Sequence, residues 1–215
     1  MDDNRREERN CMVEAQIAAR GVENPVVLEA MRSVPRHLFV PESDQAIAYG
    51  DGPVAIGRGQ TISQPFIVAL MTSLARPRPG SRVLEIGTGC GYQSAVLAAC
   101  GARVWSIELE AELSARAAET LAGLGMTNVR LRVGDGAAGW PEEAPFDAIV
   151  VTAAPRAIPD ALLDQLAVDG RLVIPVGGAT QDLLVVTRRT DGFHRESVLP
   201  VRFVPLRGKS AGSGQ

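Results

Sequence analysis

Two hydroxyl residues, Thr61 and Ser63, flank Ile62 in the stretch G-Q-T-I-S-Q-P at residues 59–65. An apolar run follows Pro65, and proline is favoured in the first turn of a helix, so a helix is predicted to begin there. Ser63 would then be placed to cap that helix by accepting from a free backbone N–H. The same hydroxyl and N–H groups could instead hold an oxygen atom of a substrate. The stretch alone leaves capping and ligand binding open.

A glycine-rich loop, E-I-G-T-G-C-G-Y at residues 85–92, follows a predicted strand and precedes a predicted helix. This is the context that a nucleotide-binding loop requires. Gly87, Gly89 and Gly91 would let the backbone turn tightly and approach a ligand closely. A strand-to-helix turn without a ligand could need the same glycines, so the loop by itself is a weak indicator.

Two carboxylates end the next two predicted strands. Glu108 comes 21 positions after Gly87 (108 − 87 = 21), where a carboxylate can accept both hydroxyls of a ribose. Asp135, in V-G-D-G, ends the third strand at the same edge and could accept from the exocyclic amine of an adenine. Either acid alone would be an ordinary solvated loop residue. Together, beside a glycine loop, they mark the crevice where such sheets bind ligands.

The loop departs from the dinucleotide-binding pattern G-x-G-x-x-G. The third glycine of that pattern, which lets helix and strand pack closely around a pyrophosphate, would fall at Tyr92. Glu85 comes two residues before the first loop glycine, Gly87, where its charge disfavours a diphosphate but suits the ammonium group of an amino acid. S-adenosylmethionine, an adenosine with an amino-acid arm, therefore fits better than NAD.

The segment after the fourth predicted strand, T-A-A-P at residues 152–155, lacks the N-P-P-Y or D-P-P-Y pattern of many enzymes that methylate amide or base nitrogens. S-adenosylmethionine donates a methyl group, and a carboxylate that accepts this group is already ionised at neutral pH, so no base is needed to remove a proton from it. It needs hydrogen-bond donors that hold one oxygen against the methyl group. Ser63, with the free N–H groups of a helix start beside it, could supply them.

These motifs together resemble the protein-L-isoaspartate O-methyltransferase family, and the likeness covers roughly residues 12–207. T-I-S-Q-P is the discriminating motif, because many methyltransferases share the glycine loop. The segments that carry the resemblance are M-R-S-V-P-R-H-L-F-V-P, A-Y-G-D-G, G-Q-T-I-S-Q-P, V-L-E-I-G-T-G-C-G-Y, G-D-G, P-F-D-A-I-V-V-T-A-A-P and V-R-F-V-P-L.

The resemblance implies methyl transfer from S-adenosylmethionine to the α-carboxylate of isoaspartyl residues in damaged peptides and proteins, with S-adenosylhomocysteine as the product. It makes Ser63 the active-site residue and has Thr61 and Ile62 close over the cofactor. It assigns no role to Arg207, because that position varies in the family. The matched cofactor positions are Gly87, Thr88, Gly89, Gly91, Glu108, Asp135 and Gly136, to which our own argument adds Glu85.

Short β-branched runs alternate with helical patterns from residue 81 to residue 176, and two further strand-like runs follow that are separated by T-D-G. The pattern predicts an α/β doubly wound domain with a mostly parallel, Rossmann-like sheet and a terminal antiparallel hairpin. Residues 50–59 are predicted to be loop, and residues 159–167 a helix. We expect one domain over residues 1–215.

Within that domain, residues 1–60 form an N-terminal helical and loop subregion. Residues 61–207 form the cofactor-binding core, and residues 208–215 a disordered tail.

The net charge of −3 argues against a protein that binds nucleic acid by broad phosphate neutralisation. Three cysteines without paired spacing indicate a reducing compartment and no metal site. No apolar run approaches the roughly 18 residues of a membrane span. We therefore expect a cytoplasmic monomer that binds no nucleic acid and no membrane. Two alternatives stay open: a methyltransferase for another carboxylate or small molecule, and a non-catalytic nucleotide-binding module.

Overall fold

A computed structural model describes residues 5–208. The strands are β1 (Val54–Gly57), β2 (Gln60–Ile62), β3 (Arg82–Ile86), β4 (Arg103–Glu108), β5 (Val129–Val133), β6 (Phe146–Val151), β7 (Leu166–Gly177), β8 (Gln181–Arg189) and β9 (Gly192–Val201). The main sheet has seven strands in the order β5-β4-β3-β6-β7-β8-β9, and a two-stranded sheet pairs β1 with β2. The α-helices are α1 (Arg6–Met12), α2 (Pro25–Ser33), α3 (Pro65–Ala75), α4 (Tyr92–Ala99), α5 (Ala111–Gly123) and α6 (Asp160–Asp164).

The sheet confirms the predicted doubly wound α/β fold. Strands β3 to β7 run parallel, while β8 and β9 pair antiparallel at one end. The chain order reverses at β3, which pairs with β4 on one side and β6 on the other. Ligands of such sheets bind beyond the carboxyl end of the strand at which the order reverses. In this chain the glycine loop leaves β3 at that point.

Strand β3 is buried on both faces, as a parallel sheet covered on both sides requires. Val83 contributes to the apolar cluster on one face, and Leu84 and Ile86 to the cluster on the other. The N-terminal subregion belongs to a third cluster, in which Ile17 and Met31 pack in one core with Tyr92, the first residue of α4. The glycine loop is therefore held between the sheet and the N-terminal subregion.

Two boundary predictions were wrong. The predicted loop at residues 50–59 contains β1, which pairs with β2 across a turn at Arg58 and Gly59. Both turn residues have positive φ, at 55° and 68°, as the commonest two-residue hairpin turn requires. The predicted helix at residues 159–167 ends at Asp164, because Leu166 already pairs with Phe146 in the sheet.

No helix within residues 5–208 is long and apolar enough to cross a membrane. The same part of the chain contains no group of three or more His, Cys, Asp or Glu residues that could hold a metal ion. Apart from Gly208, the tail predicted to be disordered lies outside the described residues.

Candidate active site

The carboxyl edge of the sheet carries a cavity, the nucleotide cavity, at the point where the chain order reverses. The glycine loop, the ends of β4 and β6, the β2 segment and the C-terminal segment at residues 204–207 form its walls. Five of the predicted site residues line it: Thr61, Gly87, Gly89, Glu108 and Gly136. Residues far apart in the sequence thus meet at the predicted edge.

The loop glycines adopt backbone conformations that side chains disfavour. Gly87, Gly89 and Gly91 have φ values of +94°, +55° and +90°. A Cβ on Gly87 would lie 2.5 Å from Oγ1 of Thr152, so this position has no room for a side chain. A Cβ on Gly91 would instead press against Ala117 at 3.2 Å. Gly91 therefore permits close helix packing and does not line the nucleotide cavity.

Glu108 links the end of β4 to the glycine loop. The backbone N–H of Gly89 donates to its Oε2 at 2.7 Å, and the N–H of Glu110 donates to its Oε1 at 3.0 Å. The residue is only 7% exposed, yet it lines the cavity. A carboxylate offers about four acceptor positions, so each oxygen retains capacity for a further donor such as a ribose hydroxyl.

Glu85 is fully buried behind the loop and does not line the nucleotide cavity. Its Oε2 accepts from the hydroxyls of Ser94 and Ser106, and Ser106 in turn contacts Oγ1 of Thr88 at 2.6 Å. Its Oε1 has no hydrogen-bond partner within residues 5–208. Burial raises the pKa of Glu85 to about 8, although both serines lower it. Contact between this carboxyl group and an ammonium group stays a prediction.

Asp135 begins a single 3₁₀ turn, Gly136–Ala138, at the end of β5. Its Oδ1 accepts from the N–H of Ala137 at 3.0 Å. Gly136 lines the nucleotide cavity, and a Cβ there would lie 2.3 Å from Cγ2 of Ile86. Asp135 itself lies beside that wall, and its contact with an adenine amine stays a prediction.

Ser63 does not cap α3, so that interpretation was wrong. The N-cap residue is Gln64, and it makes no side-chain capping bond. The Ser63 hydroxyl has no hydrogen-bond partner within the described part of the chain. The sequence could not show which of two adjacent polar residues precedes the helix, because either would be compatible with Pro65 in the first turn.

Ser63 instead lies between two openings that adjoin the nucleotide cavity. The first, the inner pocket, is also lined by Thr61, Ile62, Thr88 and Gly89. The second, the outer groove, is lined by Ser63, by Gln64, Phe66 and Ile67 around the start of α3, and by residues 199–204 at the end of β9 and after it. Thr61 lines the nucleotide cavity and both openings, so the three form a continuous path past the Ser63 hydroxyl.

Sequence reasoning missed Thr152, which belongs to the segment T-A-A-P, to which no role was assigned. Its Oγ1 donates to the carbonyl oxygen of Gly87 at 2.6 Å and lies 3.1 Å from that of Ile86. Thr152 also lines the nucleotide cavity, the inner pocket and the outer groove. No local motif indicates this role, because the contact joins residues 65 positions apart.

The C-terminal segment at residues 204–207, to which no role was assigned, forms one wall of the nucleotide cavity. The N–H of Ala154 donates to the carbonyl of Val204, and the N–H of Leu206 donates to the carbonyl of Ala154, both at 2.8 Å. Arg207 lines the cavity and pairs with Glu110 at 3.1 Å. V-R-F-V-P-L is thus a wall of the site.

The residues present fit S-adenosylmethionine. Gly87 and Gly136 leave room only for backbone beside the ligand, and Glu108 has free acceptor capacity where a ribose would lie. Glu85 lies behind the loop and lines neither the nucleotide cavity, the inner pocket nor the outer groove, so its predicted contact with an ammonium group forms no part of this fit. Glu108, the glycine loop and Gly136 would hold the adenosine, and Thr61 would cover it.

Comparisons with known proteins agree with this fit. The sequence profile of the family described as protein-L-isoaspartate(D-aspartate) O-methyltransferase matches residues 7–211. A protein-L-isoaspartate O-methyltransferase of Gloeobacter violaceus is 57% identical over 197 residues, covering 91% of this chain and 96% of the relative. Another, of Methanoregula boonei, is 52% identical over 206 residues, covering 95% of each chain.

Solved structures give the same result. One named protein-L-isoaspartate O-methyltransferase superposes with a TM-score of 0.86 at 28% identity, covering 95% of this chain and 67% of that chain. A structure from Plasmodium falciparum with the same family name, in complex with S-adenosyl-L-homocysteine, has a TM-score of 0.80 at 28% identity and covers 93% of this chain and 98% of that chain.

Proposed function

The chain belongs to the protein-L-isoaspartate(D-aspartate) O-methyltransferase family, and from that premise we propose how its own residues serve the reaction. It is an S-adenosylmethionine-dependent enzyme that methylates the free α-carboxylate of L-isoaspartyl residues in damaged proteins. We propose that the Ser63 hydroxyl holds this carboxylate at the junction of the inner pocket and the outer groove. Thr61, Ile62 and the glycine-loop residues would hold the cofactor on the other side of that junction.

One observation supports this assignment above others: the path past Ser63 offers donors and no base. Within residues 5–208, no Asp, Glu or His lines the inner pocket or the outer groove. An amine or hydroxyl acceptor would need a group to take its proton, whereas a carboxylate is ionised already. The site therefore suits an acceptor that brings its own negative charge.

Positioning is the main contribution that the chain makes to the transfer. When bound, the cofactor supplies an electrophilic methyl group on a sulfonium. Ser63 donates to the acceptor carboxylate, and the N–H groups of Phe66 and Ile67 in the first turn of α3 lack intrahelical partners and are further donors beside it. Arg20 and Arg202 line the outer groove and favour an anionic substrate.

A paired-peptide assay tests the function. Two peptides identical except for isoaspartate or aspartate at one position are incubated with cofactor labelled in its methyl group. We expect label in the isoaspartyl peptide alone, as a base-labile ester. Equal labelling of both peptides would indicate a general carboxyl methyltransferase, and cofactor binding without labelling of either would indicate a non-catalytic module.

Three further properties belong to the same proposal. We propose a monomer that acts in the cytoplasm and binds no nucleic acid. Cys11, Cys90 and Cys100 are all free thiols, which suits a reducing compartment. Light scattering at several protein concentrations checks the first property, and fractionation of cells checks the second. Titration with duplex and single-stranded oligonucleotides at low salt checks the third.

A further inference from the structure

A second cavity lies at the amino ends of the parallel strands, the edge opposite to the nucleotide cavity. It is formed by the loop at residues 76–81 after α3, the start of β6, residues 168–171 of β7, and the end of β8. Its volume of about 560 Å³ falls within the range of small-molecule sites. It shares no lining residue with the nucleotide cavity, the inner pocket or the outer groove.

Charge distinguishes this cavity, which we call the arginine cavity. Four arginines and two carboxylates, Asp147 and Asp169, line it, so its ionised side chains carry a net charge of +2 (4 − 2). The whole chain has a net charge of −3, so the positive charge is local. The four arginines that line it are Arg76, Arg78, Arg171 and Arg189.

The two carboxylates do not neutralise all four guanidinium groups. Asp169 pairs with Arg189, and Asp147 accepts from the backbone N–H of Arg82 at 2.8 Å. The side chains of Arg76 and Arg78 make no hydrogen bond or ion pair within residues 5–208. Two guanidinium groups therefore stay available at the rim of the cavity.

The like charges act on one another. Burial, and then the charges of Arg76 and Arg189, lower the pKa of Arg171, and the charge of Glu196 opposes them only in part. Nη1 of Arg171 donates to the carbonyl of Leu74 at 3.1 Å. Arg76 has a φ of +53° just after α3, a position at which glycine is the usual residue. The backbone thus gains nothing from arginine there. Converging guanidinium groups repel one another unless an anion lies between them.

We propose that the arginine cavity binds a small anion that carries phosphoryl groups. The planar fork of a guanidinium matches two phosphate oxygens, and Ser81 and Thr187 add hydroxyl donors to the same lining. No aromatic ring lines the cavity, so it offers no surface on which a nucleobase could stack. Linked phosphates are favoured over a single one, because they reach more than one guanidinium. This site goes beyond the methyl transfer described above.

Calorimetric titration with pyrophosphate tests the site. Saturating S-adenosylhomocysteine is present throughout, so that the glycine loop is occupied and cannot bind the probe. Wild-type protein is expected to bind one pyrophosphate with a dissociation constant below about 1 mM. Inorganic phosphate, titrated in the same way, is expected to bind more weakly.

The informative variant is Arg76→Asn with Arg78→Gln, since asparagine tolerates the backbone conformation at position 76. It should weaken pyrophosphate binding by at least about tenfold. The matched control, Arg6→Gln with Arg156→Gln, removes two positive charges from exposed positions outside every cavity described above and should change the affinity less than about twofold.

Three results would overturn the proposal: no saturable binding to the wild type, equal weakening in both double variants, or no weakening in either. Equal weakening would show that only the net charge of the protein matters. If the first double variant does not fold, as judged by circular dichroism, the single variant Arg78→Gln in the exposed loop carries the same comparison.

Discussion

At the scale of single residues, the candidate site is built from side chains whose partners lie far away in the sequence, as the bond between Thr152 and Gly87 shows. The predicted capping bond of Ser63 does not exist, because Gln64 takes the N-cap position, and Ser63 instead lines the inner pocket and the outer groove. Glu108 lines the nucleotide cavity and also accepts from the loop N–H of Gly89, while its contact with a ribose stays a prediction. Thr152 was overlooked because its bond to Gly87 depends on how two strands are placed side by side. Residue types reveal possible chemistry, whereas partners depend on tertiary structure.

Ser63→Ala is expected to lower kcat by about 100-fold, because a nucleophile held out of line with the methyl group reacts more slowly by about that factor. Cofactor affinity should stay nearly unchanged. The melting temperature should also hold, because the hydroxyl bonds to nothing within residues 5–208. Steady-state kinetics with an isoaspartyl peptide and calorimetric titration with S-adenosylhomocysteine measure the two quantities.

The matched control for Ser63 is Ser73→Ala, a serine on α3 that lines none of the cavities at the carboxyl edge. It should leave kcat and cofactor affinity as they are. A loss of cofactor affinity in Ser63→Ala, with kcat at saturation preserved, would instead place the hydroxyl in the cover over the cofactor.

Glu85 should make stability depend on pH. Its folded pKa, raised by burial to about 8, lies above the value in the unfolded chain. Between about pH 4.5 and pH 8 the folded protein therefore holds a proton that the unfolded chain has released, so the free energy of unfolding falls as the pH rises. Glu85→Gln has no such proton. The free energy of unfolding of this variant, measured relative to wild type at the same pH, should therefore increase by about a few kcal/mol as the pH rises through that window.

Melting temperatures of the cofactor-free proteins between pH 5 and pH 9 measure this difference. The control is Glu119→Gln on the exposed face of α5, which should follow the wild-type profile. Parallel profiles for wild type and Glu85→Gln would show that the buried carboxyl group is not protonated in the folded state.

At the scale of elements, alternation of strand and helix patterns was sufficient to predict the sheet. Strands β3 to β7 were predicted because buried parallel strands read as β-branched runs between helical patterns. Strands β8 and β9 were predicted from two strand-like runs on either side of the turn T-D-G. The hairpin of β1 and β2 was missed because its strands have only four and three residues, too few to show a period. The only sequence signal for this hairpin is its turn, Arg58 and Gly59, where both residues have positive φ. Whether so short a segment forms a strand depends on the residues that pack against it, which the local sequence does not show.

The end of β6 should control the shape of the loop after β3. Thr152→Val keeps the side-chain shape but removes the hydroxyl that donates to the carbonyl of Gly87. A partly buried acceptor that loses its donor costs about 1 to 3 kcal/mol. We expect the free energy of unfolding to fall by that amount, which a lower melting temperature would show. Binding of S-adenosylhomocysteine should weaken about tenfold, because the loop lines the cavity.

Thr152→Ser is the matched control, since it keeps the hydroxyl and loses only a methyl group. Its cofactor affinity should stay within about twofold of wild type. If the valine and serine variants bind S-adenosylhomocysteine equally well, the hydroxyl does not position the glycine loop.

At the scale of the whole molecule, two of the apolar clusters lie on opposite faces of the same sheet. Val83 and Leu84 are neighbours in β3, and their side chains pack into the clusters on the two opposite faces. The N-terminal subregion packs against α4 in its own cluster, where Ile17 and Tyr92 are both buried. The sequence predicted one domain from chain length, which alone could not show how the subregion is attached. The packing supplies a physical reason for joint unfolding.

Ile17→Ala tests whether residues 1–60 unfold together with the α/β core. Ile17 is fully buried, so its truncation should cost about 2 to 5 kcal/mol. The chain has two tryptophans, Trp105 and Trp140, and both belong to the cluster on the far face of the sheet. Tryptophan fluorescence therefore reports on a region that Ile17 does not touch. In a single cooperative unit, the denaturant midpoints measured by fluorescence and by far-ultraviolet circular dichroism should coincide and shift together.

Val26→Ala is the matched control for Ile17, because Val26 lies in the same subregion but is 48% exposed. It should change the free energy of unfolding by no more than about 0.5 kcal/mol. A fluorescence midpoint that stays at the wild-type value in Ile17→Ala, while the circular dichroism transition splits in two, would show that the N-terminal subregion unfolds separately. Such a result would contradict the single domain, because the cluster around Tyr92 would then open without disturbing the sheet beneath it.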